Sequence, residues 1–239
     1  MPVSDSVVII PTYNEIENVE LIIRKVFSYD KDFHILIVDD NSPDGTAEVV
    51  KRLQQEFENE LHLLEREGKQ GLGTAYIAGF NWSLANNYEY IFEMDADFSH
   101  DPDDLIRLYK ACKEEGADLS IGSRYISGGK VENWPLTRVL MSYFASLYVR
   151  FILWIGIKDT TAGFKCYTSR ALKSVNYSII PFKGYAFQIC MKYAVRKKKL
   201  KIIEVPIKFI DRQRGTSKMS IAIFKEAFIG VWKMRRMKL

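Results

Sequence analysis

The segment YIFEMDAD (residues 90–97) decides the fold expected for this chain of 239 residues. Its first five residues form an apolar, strand-like run, and Asp95 and Asp97 follow directly. Residues i and i+2 of an extended segment share a face, so both carboxylates can converge on one divalent cation. For a lone pair of this kind, an acidic turn before a helix near Pro102 would be the simpler interpretation.

Two other strand-like runs end in comparable polar segments, so the pair does not stand alone. Residues 33–38 lead into Asp39 and Asp40, and residues 7–10 lead into PTYNE (11–15). In open α/β sheets, ligands bind at the carboxyl ends of the strands. These three segments therefore predict one binding site at a common edge of a sheet.

The alternation of short β-rich runs with amphipathic helical stretches extends to about residue 123 and is typical of parallel βαβ units. The predicted strands are residues 7–10, 34–38, 61–64, 90–94 and 119–122, and the predicted helices are residues 18–29, 46–57, 73–86 and 102–115. We therefore predict an α/β fold with a Rossmann-like, mostly parallel central sheet flanked by helices.

The second part of the chain has a different pattern. Residues 127–130 (SGGK) predict a flexible loop, and residues 139–157 are apolar or small except for Ser142, Ser146 and Arg150. A membrane-spanning helix needs about 20 apolar residues, and Arg150 lies well inside this shorter stretch. We expect a helix that lies in a membrane interface or packs on the sheet.

The C-terminal stretch, residues 221–239, is amphipathic and basic. Its apolar side chains near one face are Phe224, Phe228, Val231 and Trp232, and the basic ones around them are Lys225, Lys233, Arg235, Arg236 and Lys238. This pattern fits an interfacial helix on anionic lipid, and it equally fits an ordinary docking helix.

The net charge of +4 conceals an asymmetry along the chain. Residues 192–239 carry 15 lysines and arginines against 3 acidic residues, a net charge of +12, and the preceding residues carry a net charge of −8. A basic end needs an anionic partner such as nucleic acid, anionic lipid or a phosphorylated substrate. An odd number of cysteines, three, and the lack of a signal-peptide pattern predict a reducing compartment.

Several familiar catalytic patterns are absent from the sequence. GLGTAY (71–76) has Tyr76 where GxGxxG requires glycine, and neither a P-loop nor a G-x-S-x-G elbow occurs. The histidines, His34, His62 and His100, are scattered. Aspartate oxygens suit Mg²⁺ or Mn²⁺. The basic side chains in residues 211–218 could close over a diphosphate. These features together favour a sugar-nucleotide transferase.

Eight motifs in order along nearly the whole chain resemble one known family, the dolichol-phosphate (polyprenol-phosphate) mannose synthases. They are PTYNE (11–15), VDDNSPDGT (38–46), GLGTAY (71–76), DADFSHDP (95–102), GSRY (122–125), AGFKCY (162–167), GYAFQI (184–189) and DRQRGTSK (211–218). These enzymes are inverting glycosyltransferases of family 2 with the GT-A fold. The resemblance implies transfer of mannose from GDP-mannose to a polyprenyl (dolichyl-type) monophosphate, giving the β-linked lipid phosphate mannose and GDP.

The same resemblance implies roles for matched positions. Those of the guanosine pocket are Pro11, Tyr13, Glu15, Val38 and Asp40. Asp95 and Asp97 would hold Mg²⁺ or Mn²⁺, with the Ala96 backbone near the ribose or diphosphate and with Ser99 where many relatives have glutamine. Arg212 and Lys218 would close on the donor diphosphate, and the lipid phosphate would meet Arg124, Arg138 and Ser142. In AGFKCY, Ala162 and Lys165 stand where serine and arginine are frequent.

The resemblance also implies a single GT-A catalytic domain over residues 1–239, in which residues 1–125 bind the nucleotide sugar and residues 126–239 hold the acceptor loop, the amphipathic helices and the basic end. Its implied partners are the membrane surface, on the cytoplasmic face, and small membrane subunits. The alternatives are another donor such as UDP-glucose or a non-lipid acceptor. A nucleic-acid-binding module would leave both acidic pairs unexplained, so we expect no nucleic acid partner.

Overall fold

A computed structural model describes residues 4–211, 221–237 and 239. In these ranges the chain forms a seven-stranded sheet in the order β3-β2-β1-β4-β7-β5-β8. Its strands are β1 (Ser6–Thr12), β2 (His34–Asp39), β3 (Leu61–Glu65), β4 (Tyr90–Glu93), β5 (Leu119–Ser123), β7 (Lys165–Thr168) and β8 (Ile202–Pro206). β7 runs antiparallel between β4 and β5, and the other pairings are parallel. The predicted mostly parallel sheet is confirmed.

Helices cover both faces of this sheet. They are α1 (Val19–Phe27), α2 (Thr46–Gln54), α3 (Leu72–Ala85), α4 (Asp104–Lys113), α5 (Leu136–Leu153), α6 (Ser169–Ser174), α7 (Tyr185–Lys197) and α8 (Ile221–Arg236). Alternation along β1 separates the two cores, because Val7 and Ile9 face one side and Val8 and Ile10 face the other. The first side packs against α3, α5, α7 and α8, and the second packs against α1, α2 and α4.

The structure differs from the sequence-based expectations mainly after residue 124. Residues 127–129 form a turn, and Lys130 already belongs to a strand, β6 (Lys130–Glu132), because it pairs with β9 (Lys208–Ile210) in a small second sheet. Residues 202–210 likewise form two strands, β8 and β9, which belong to different sheets. The helix expected over residues 139–157 is α5, which ends where Trp154 adopts a left-handed conformation.

α5 and α8 present a large apolar surface to solvent. The exposed side chains are Leu136, Leu140, Met141, Tyr143, Phe144 and Phe151 of α5, Trp154 just after it, and Phe228, Ile229 and Trp232 of α8. The indole of Trp232 donates to the Tyr148 hydroxyl at 2.9 Å, which joins the two helices. Val231, expected on the same face as Phe228 and Trp232, is instead buried in the core. We call this surface the α5–α8 face.

By length and composition, α5 is also the helix in the described residues that could cross a membrane. About a fifth of it (22%) is buried within the protein, through residues such as Val149 and Ile152. These buried residues pack into the core, whereas most of the helix is outside it.

Candidate active site

One cleft of about 380 Å³ lies at the carboxyl ends of β1, β2, β4 and β5. Each of these strands contributes residues that follow its last hydrogen-bonded pair, because the chain there leaves the sheet and turns over its edge. Pro11 lies in the last residues of β1 and Tyr13 follows it, Asp40 follows β2, and residues 95–97 follow β4. The strand-end arrangement expected from the sequence therefore brings these segments into a single wall.

The two acidic residues after β2 have different environments. Asp39 is wholly buried and accepts hydrogen bonds from the Thr12 hydroxyl at 2.7 Å and the Ser42 amide at 2.8 Å, so it holds the loops together. Asp40 lies in the cleft wall, where its Oδ1 accepts a hydrogen bond from Arg66 Nε at 2.6 Å. Arg66 also donates to the Thr74 hydroxyl at 2.9 Å, which ties Asp40 to the start of α3.

Tyr13 and Glu15 complete this end of the cleft. The ammonium of Lys69 lies 4.6 Å from the centre of the Tyr13 ring, and Glu15 accepts a hydrogen bond from Asn18 Nδ2 at 3.0 Å. Val38, which the resemblance assigned to the guanosine pocket, is not in the wall. Its side chain is wholly buried in the core because it lies inside β2, and only residues beyond the strand reach the cleft.

The acidic pair after β4 also lines the cleft. The side chain of Asp95 is 40% exposed, whereas Asp97 is buried and accepts a hydrogen bond from the Ser99 amide at 3.0 Å. A left-handed conformation at Phe98 (φ 58°) makes this tight turn possible. Asp95, Ala96, Asp97 and Ser99 all line the cleft.

This donor set fits a divalent cation of the Mg²⁺ type. In the described part of the chain, no cluster of three or more histidine, cysteine, aspartate or glutamate side chains could form a closed metal cage. Mg²⁺ does not need one, since it is commonly held by one or two carboxylates together with substrate phosphates and waters. Two carboxylates in one cleft, with the Ser99 hydroxyl beside them, meet that requirement.

His100, which lies in the DADFSHDP motif but was assigned no role from the sequence, also lines the cleft. Its ring stacks on Phe164 with centroids 5.0 Å apart, and its Nδ1 lies 3.4 Å from the Asp95 amide and 3.9 Å from Asp95 Oδ2. Burial lowers the pKa of His100 to about 4. The ring is therefore neutral near pH 7 and is a poor general base there.

Two arginines also line the cleft, and each is held by an aspartate. Arg124 donates from Nε and Nη2 to the two oxygens of Asp159, both at 2.7 Å, and from Nη2 to the Thr161 hydroxyl at 2.8 Å. Burial alone would raise the pKa of Asp159, but the guanidinium outweighs it and the pKa lies below its ordinary value. These bonds engage two of the three guanidinium nitrogens of Arg124.

Arg138, on the first turn of α5, has a more open environment. Its Nη1 lies 3.1 and 3.0 Å from the two Asp211 oxygens, and its guanidinium stacks 3.9 Å from the centre of the Trp134 ring. Trp134 and Asp211 also line the cleft. Ser142 lies one turn further along α5 and is outside the wall.

The structure thus brings together most of the residues singled out from the sequence. Those in the wall of the cleft are Pro11, Tyr13, Glu15, Asp40, Asp95, Ala96, Asp97, Ser99, Arg124 and Arg138. Val38 and Ser142 are outside it, and Arg212 and Lys218 lie outside the described residues. The partners Arg66, Asp159 and Thr161 have no signal in the sequence, because each is far along the chain from the residue it holds.

Comparison with known proteins identifies relatives over almost the whole chain. The model of the family described as glycosyl transferase family 2 matches residues 7–175. A polyprenol monophosphomannose synthase of Mycolicibacterium smegmatis is 44% identical over 236 residues, which are 98% of this chain and 89% of the relative. An undecaprenyl-phosphate mannosyltransferase of Micrococcus luteus is 44% identical over 223 residues, or 93% of this chain and 90% of the relative.

Solved structures share the fold at much lower identity. A glucosyl-3-phosphoglycerate synthase from Mycobacterium tuberculosis, in complex with Mn²⁺, UDP and glucosyl-3-phosphoglycerate, has a TM-score of 0.67 at 16% identity, covering 98% of this chain and 80% of that one. A mannosyltransferase from Pyrobaculum calidifontis, in complex with GDP-Man and Mn²⁺, has a TM-score of 0.59 at 14% identity, covering 96% and 69%. These likenesses confirm the expected glycosyltransferase fold.

Proposed function

The chain belongs to glycosyl transferase family 2, and from this premise we propose that it transfers mannose from a nucleotide donor to a polyprenyl monophosphate. One structural observation carries the proposal. A single cleft joins an acidic pair, Asp95 and Asp97, to the two arginines Arg124 and Arg138. Carboxylates can bind the metal ion that holds a diphosphate, and guanidinium groups can bind a phosphate monoester. The cleft therefore has a place for each substrate.

The donor we propose is GDP-mannose. Tyr13, Glu15 and Asp40 line the end of the cleft that would take the nucleoside, with Pro11 beside them. Arg66 and the Gln70 amide hold the Asp40 carboxylate, so an incoming base or ribose would meet a fixed acceptor. The proposed role of Val38 reduces to supporting this wall from within β2.

Asp95, Asp97 and Ser99 are the residues that would hold Mg²⁺ or Mn²⁺ in this site. When bound, the cation would offset the negative charge that develops on the leaving diphosphate. Arg212 and Lys218 keep their proposed role of closing over the donor, as the sequence resemblance implied.

The acceptor needs little activation. A phosphate monoester has a second pKa of about 6, so near neutral pH it is largely a dianion, and no residue has to remove a proton from it. The neutral His100 is consistent with this chemistry. An acceptor oxygen attacks the sugar C1 as the bond from C1 to the diphosphate breaks, which inverts the α-linked donor to a β-linked product and releases GDP.

The protein's contribution is to align the two substrates and to hold their charges. Arg124 presents its guanidinium in a fixed plane because Asp159 and Thr161 engage it. Arg138 is the more adaptable of the two, since its partner Asp211 and the Trp134 ring leave it 31% exposed. We assign both arginines to the lipid phosphate, with Ser142 further along α5 toward the lipid chain.

We further propose that the enzyme acts at the cytoplasmic face of a membrane, to which it attaches peripherally. The α5–α8 face supports this, because it exposes many large apolar side chains next to Lys233, Arg235 and Arg236. Residues 1–125 would then form the nucleotide-sugar half of one catalytic domain, and residues 126–239 would carry the acceptor and membrane side. Small membrane subunits are candidate partners at the same face.

The decisive experiment follows labelled mannose from GDP-mannose to a short polyprenyl phosphate in detergent, with Mn²⁺, with Mg²⁺ and with EDTA. We expect a lipid-linked product with either cation and none with EDTA, and we expect GDP to compete better than UDP. Stronger competition by UDP would contradict the assigned donor. Transfer to water-soluble phosphate esters but not to the lipid would contradict the assigned acceptor.

A further inference from the structure

Lys192 of α7 is a wholly buried lysine that the proposed mechanism does not use. Its Nζ donates to the carbonyl oxygens of Ala162 at 2.6 Å, Thr160 at 3.0 Å and Gln188 at 3.3 Å. In the residues that the structure describes, no carboxylate lies within ion-pair distance of this nitrogen. An ionisable group buried in this way costs free energy, so it needs a compensating role.

The three carbonyl partners favour the charged form of Lys192, whereas its burial favours the neutral form. Burial lowers its pKa well below 10.5, and the nearby ammonium of Lys165 lowers it further, whereas Asp159 and Glu93 raise it. Carbonyl oxygens only accept hydrogen bonds, and three of them call for three N–H donors, which only the ammonium has. Through these hydrogen bonds Lys192 acts as a clamp on main-chain oxygens.

Two of those oxygens belong to the segment that forms the acceptor wall of the cleft. Thr161, Ala162 and Gly163 line the cleft, and the Thr161 hydroxyl accepts the hydrogen bond from Arg124 Nη2. Lys192 thus holds the main chain of the two residues that flank Thr161. Asp159, at the start of the same segment, accepts the other hydrogen bonds of Arg124.

The titratable groups near this wall are mostly paired. The buried ones are Glu93, Asp97, Arg124, Asp159, Lys165 and Lys192, three acidic and three basic side chains. Lys165 is balanced by Glu93 at 2.8 Å, and Arg124 by Asp159. Lys192 has carbonyl oxygens as partners and no ion pair among the described residues, so its contribution to the wall is this set of hydrogen bonds.

We propose that Lys192 is a positioning residue for the acceptor: it fixes the Thr160–Ala162 turn so that Arg124 and Thr161 present one rigid anion-binding wall to the lipid phosphate. This inference rests on the proposed function, since it assumes that Arg124 meets the acceptor. The nucleoside end of the cleft is built from the ends of β1 and β2. Substitution of Lys192 should therefore not change nucleotide affinity.

The test compares Lys192→Met with wild-type protein in three measurements. We expect the KM for a short polyprenyl phosphate in detergent to rise on the order of tenfold, GDP affinity by calorimetry to change less than about twofold, and amide hydrogen exchange at residues 159–164 to speed up. Lys201→Met is the matched control, because Lys201 also donates to a main-chain carbonyl, that of Glu115, away from the cleft.

A second variant keeps the test decisive if Lys192→Met does not fold. Thr161→Val removes the oxygen that Arg124 contacts but keeps the carbonyl partners of Lys192, and we expect it to raise the acceptor KM as well. An unchanged acceptor KM in folded Lys192→Met or in Thr161→Val would overturn the inference. So would equal losses of acceptor and GDP binding. Faster exchange at residues 159–164 without any mannosyl transfer by the wild type would instead count against the proposed function alone.

Discussion

The acidic pair, Asp95 and Asp97, can be tested by a single substitution that removes one charge. Asp97→Asn keeps an oxygen that can accept the hydrogen bond from the Ser99 amide, so the turn should survive while the charge is lost. We expect metal-dependent transfer to fall at least about 100-fold with no change in folding by circular dichroism. Asp97→Ala should lose transfer as well.

Asp103→Ala is the control for this prediction, because Asp103 is an exposed carboxylate that pairs with Lys25 on the surface. It should keep normal transfer. Normal turnover in Asp97→Asn would show that the pair does not hold the catalytic cation.

Arg138 is the second residue with a separable role. Arg138→Ala should raise the KM for the lipid phosphate on the order of tenfold, because a charge-assisted hydrogen bond to the phosphate is lost, while GDP affinity stays within about twofold. Steady-state kinetics and calorimetry measure the two quantities. Arg170→Ala removes another arginine–aspartate pair, that with Asp118, remote from the cleft, and should change neither.

Some residues of the site can be predicted from the sequence, and others cannot. Asp95 and Asp97 are predictable because a strand and its end can be read locally. Lys192 is not, because it opens the basic stretch of the chain and would be counted with solvated charges, whereas the fold buries it completely. The same holds for Asp159, which is 35 residues along the chain from the arginine it holds.

At the scale of elements, close packing of α3 on the sheet explains why residue 79 is a glycine. A Cβ built on Gly79 would lie 2.7 Å from Ile9 Cγ2 in β1, so the helix and the sheet meet with no room for a methyl group. We expect Gly79→Ala to lower the free energy of unfolding by about 1–3 kcal/mol in urea titrations, despite the better helix propensity of alanine.

Gly68→Ala is the matched control, since nothing lies within 4 Å of a Cβ there. It should change the free energy of unfolding by less than about 0.5 kcal/mol. Equal effects of the two substitutions would show that α3 can move away from β1 without cost.

The elements that the sequence predicts well are those with a local period. Strands β1 to β5 and helices α1 to α4 all appear within a few residues of their predicted bounds, because each combines apolar periodicity with a clear end. β7 was not predicted as a strand, since four residues carry too little pattern to distinguish them from a loop. β6 and β9 have three residues each and pair with each other in a separate sheet, and neither short segment reveals this pairing alone.

At the scale of the whole molecule, the α5–α8 face predicts how the enzyme meets its lipid substrate. The side chains of Phe144 and Phe151 are 60% and 77% exposed. We expect Phe144→Ser and Phe151→Ser each to weaken binding to anionic phospholipid vesicles about tenfold in sedimentation assays, because each removes an aromatic ring from the apolar phase.

Ile16→Ser is the control for vesicle binding, because Ile16 is 45% exposed but lies in the loop after β1, away from the α5–α8 face. It should bind vesicles as the wild type does. Vesicle binding by the Phe144 and Phe151 variants can be measured without either substrate, so this prediction does not depend on mannosyl transfer.

The antiparallel strand β7 has a consequence for how such enzymes diversify. The chain leaves the sheet at the end of β5 and returns at the start of β7, and these two points are neighbours, joined by the hydrogen bond from the Gly122 amide to the Phe164 carbonyl at 2.9 Å. Arg124, Arg138 and α5 all lie on the excursion between them. A segment whose ends are anchored side by side can be exchanged or lengthened at little entropic cost to the sheet. On the proposed assignment of Arg124 and Arg138 to the lipid phosphate, acceptor choice is carried on this excursion, and we expect its exchange between relatives to change lipid specificity.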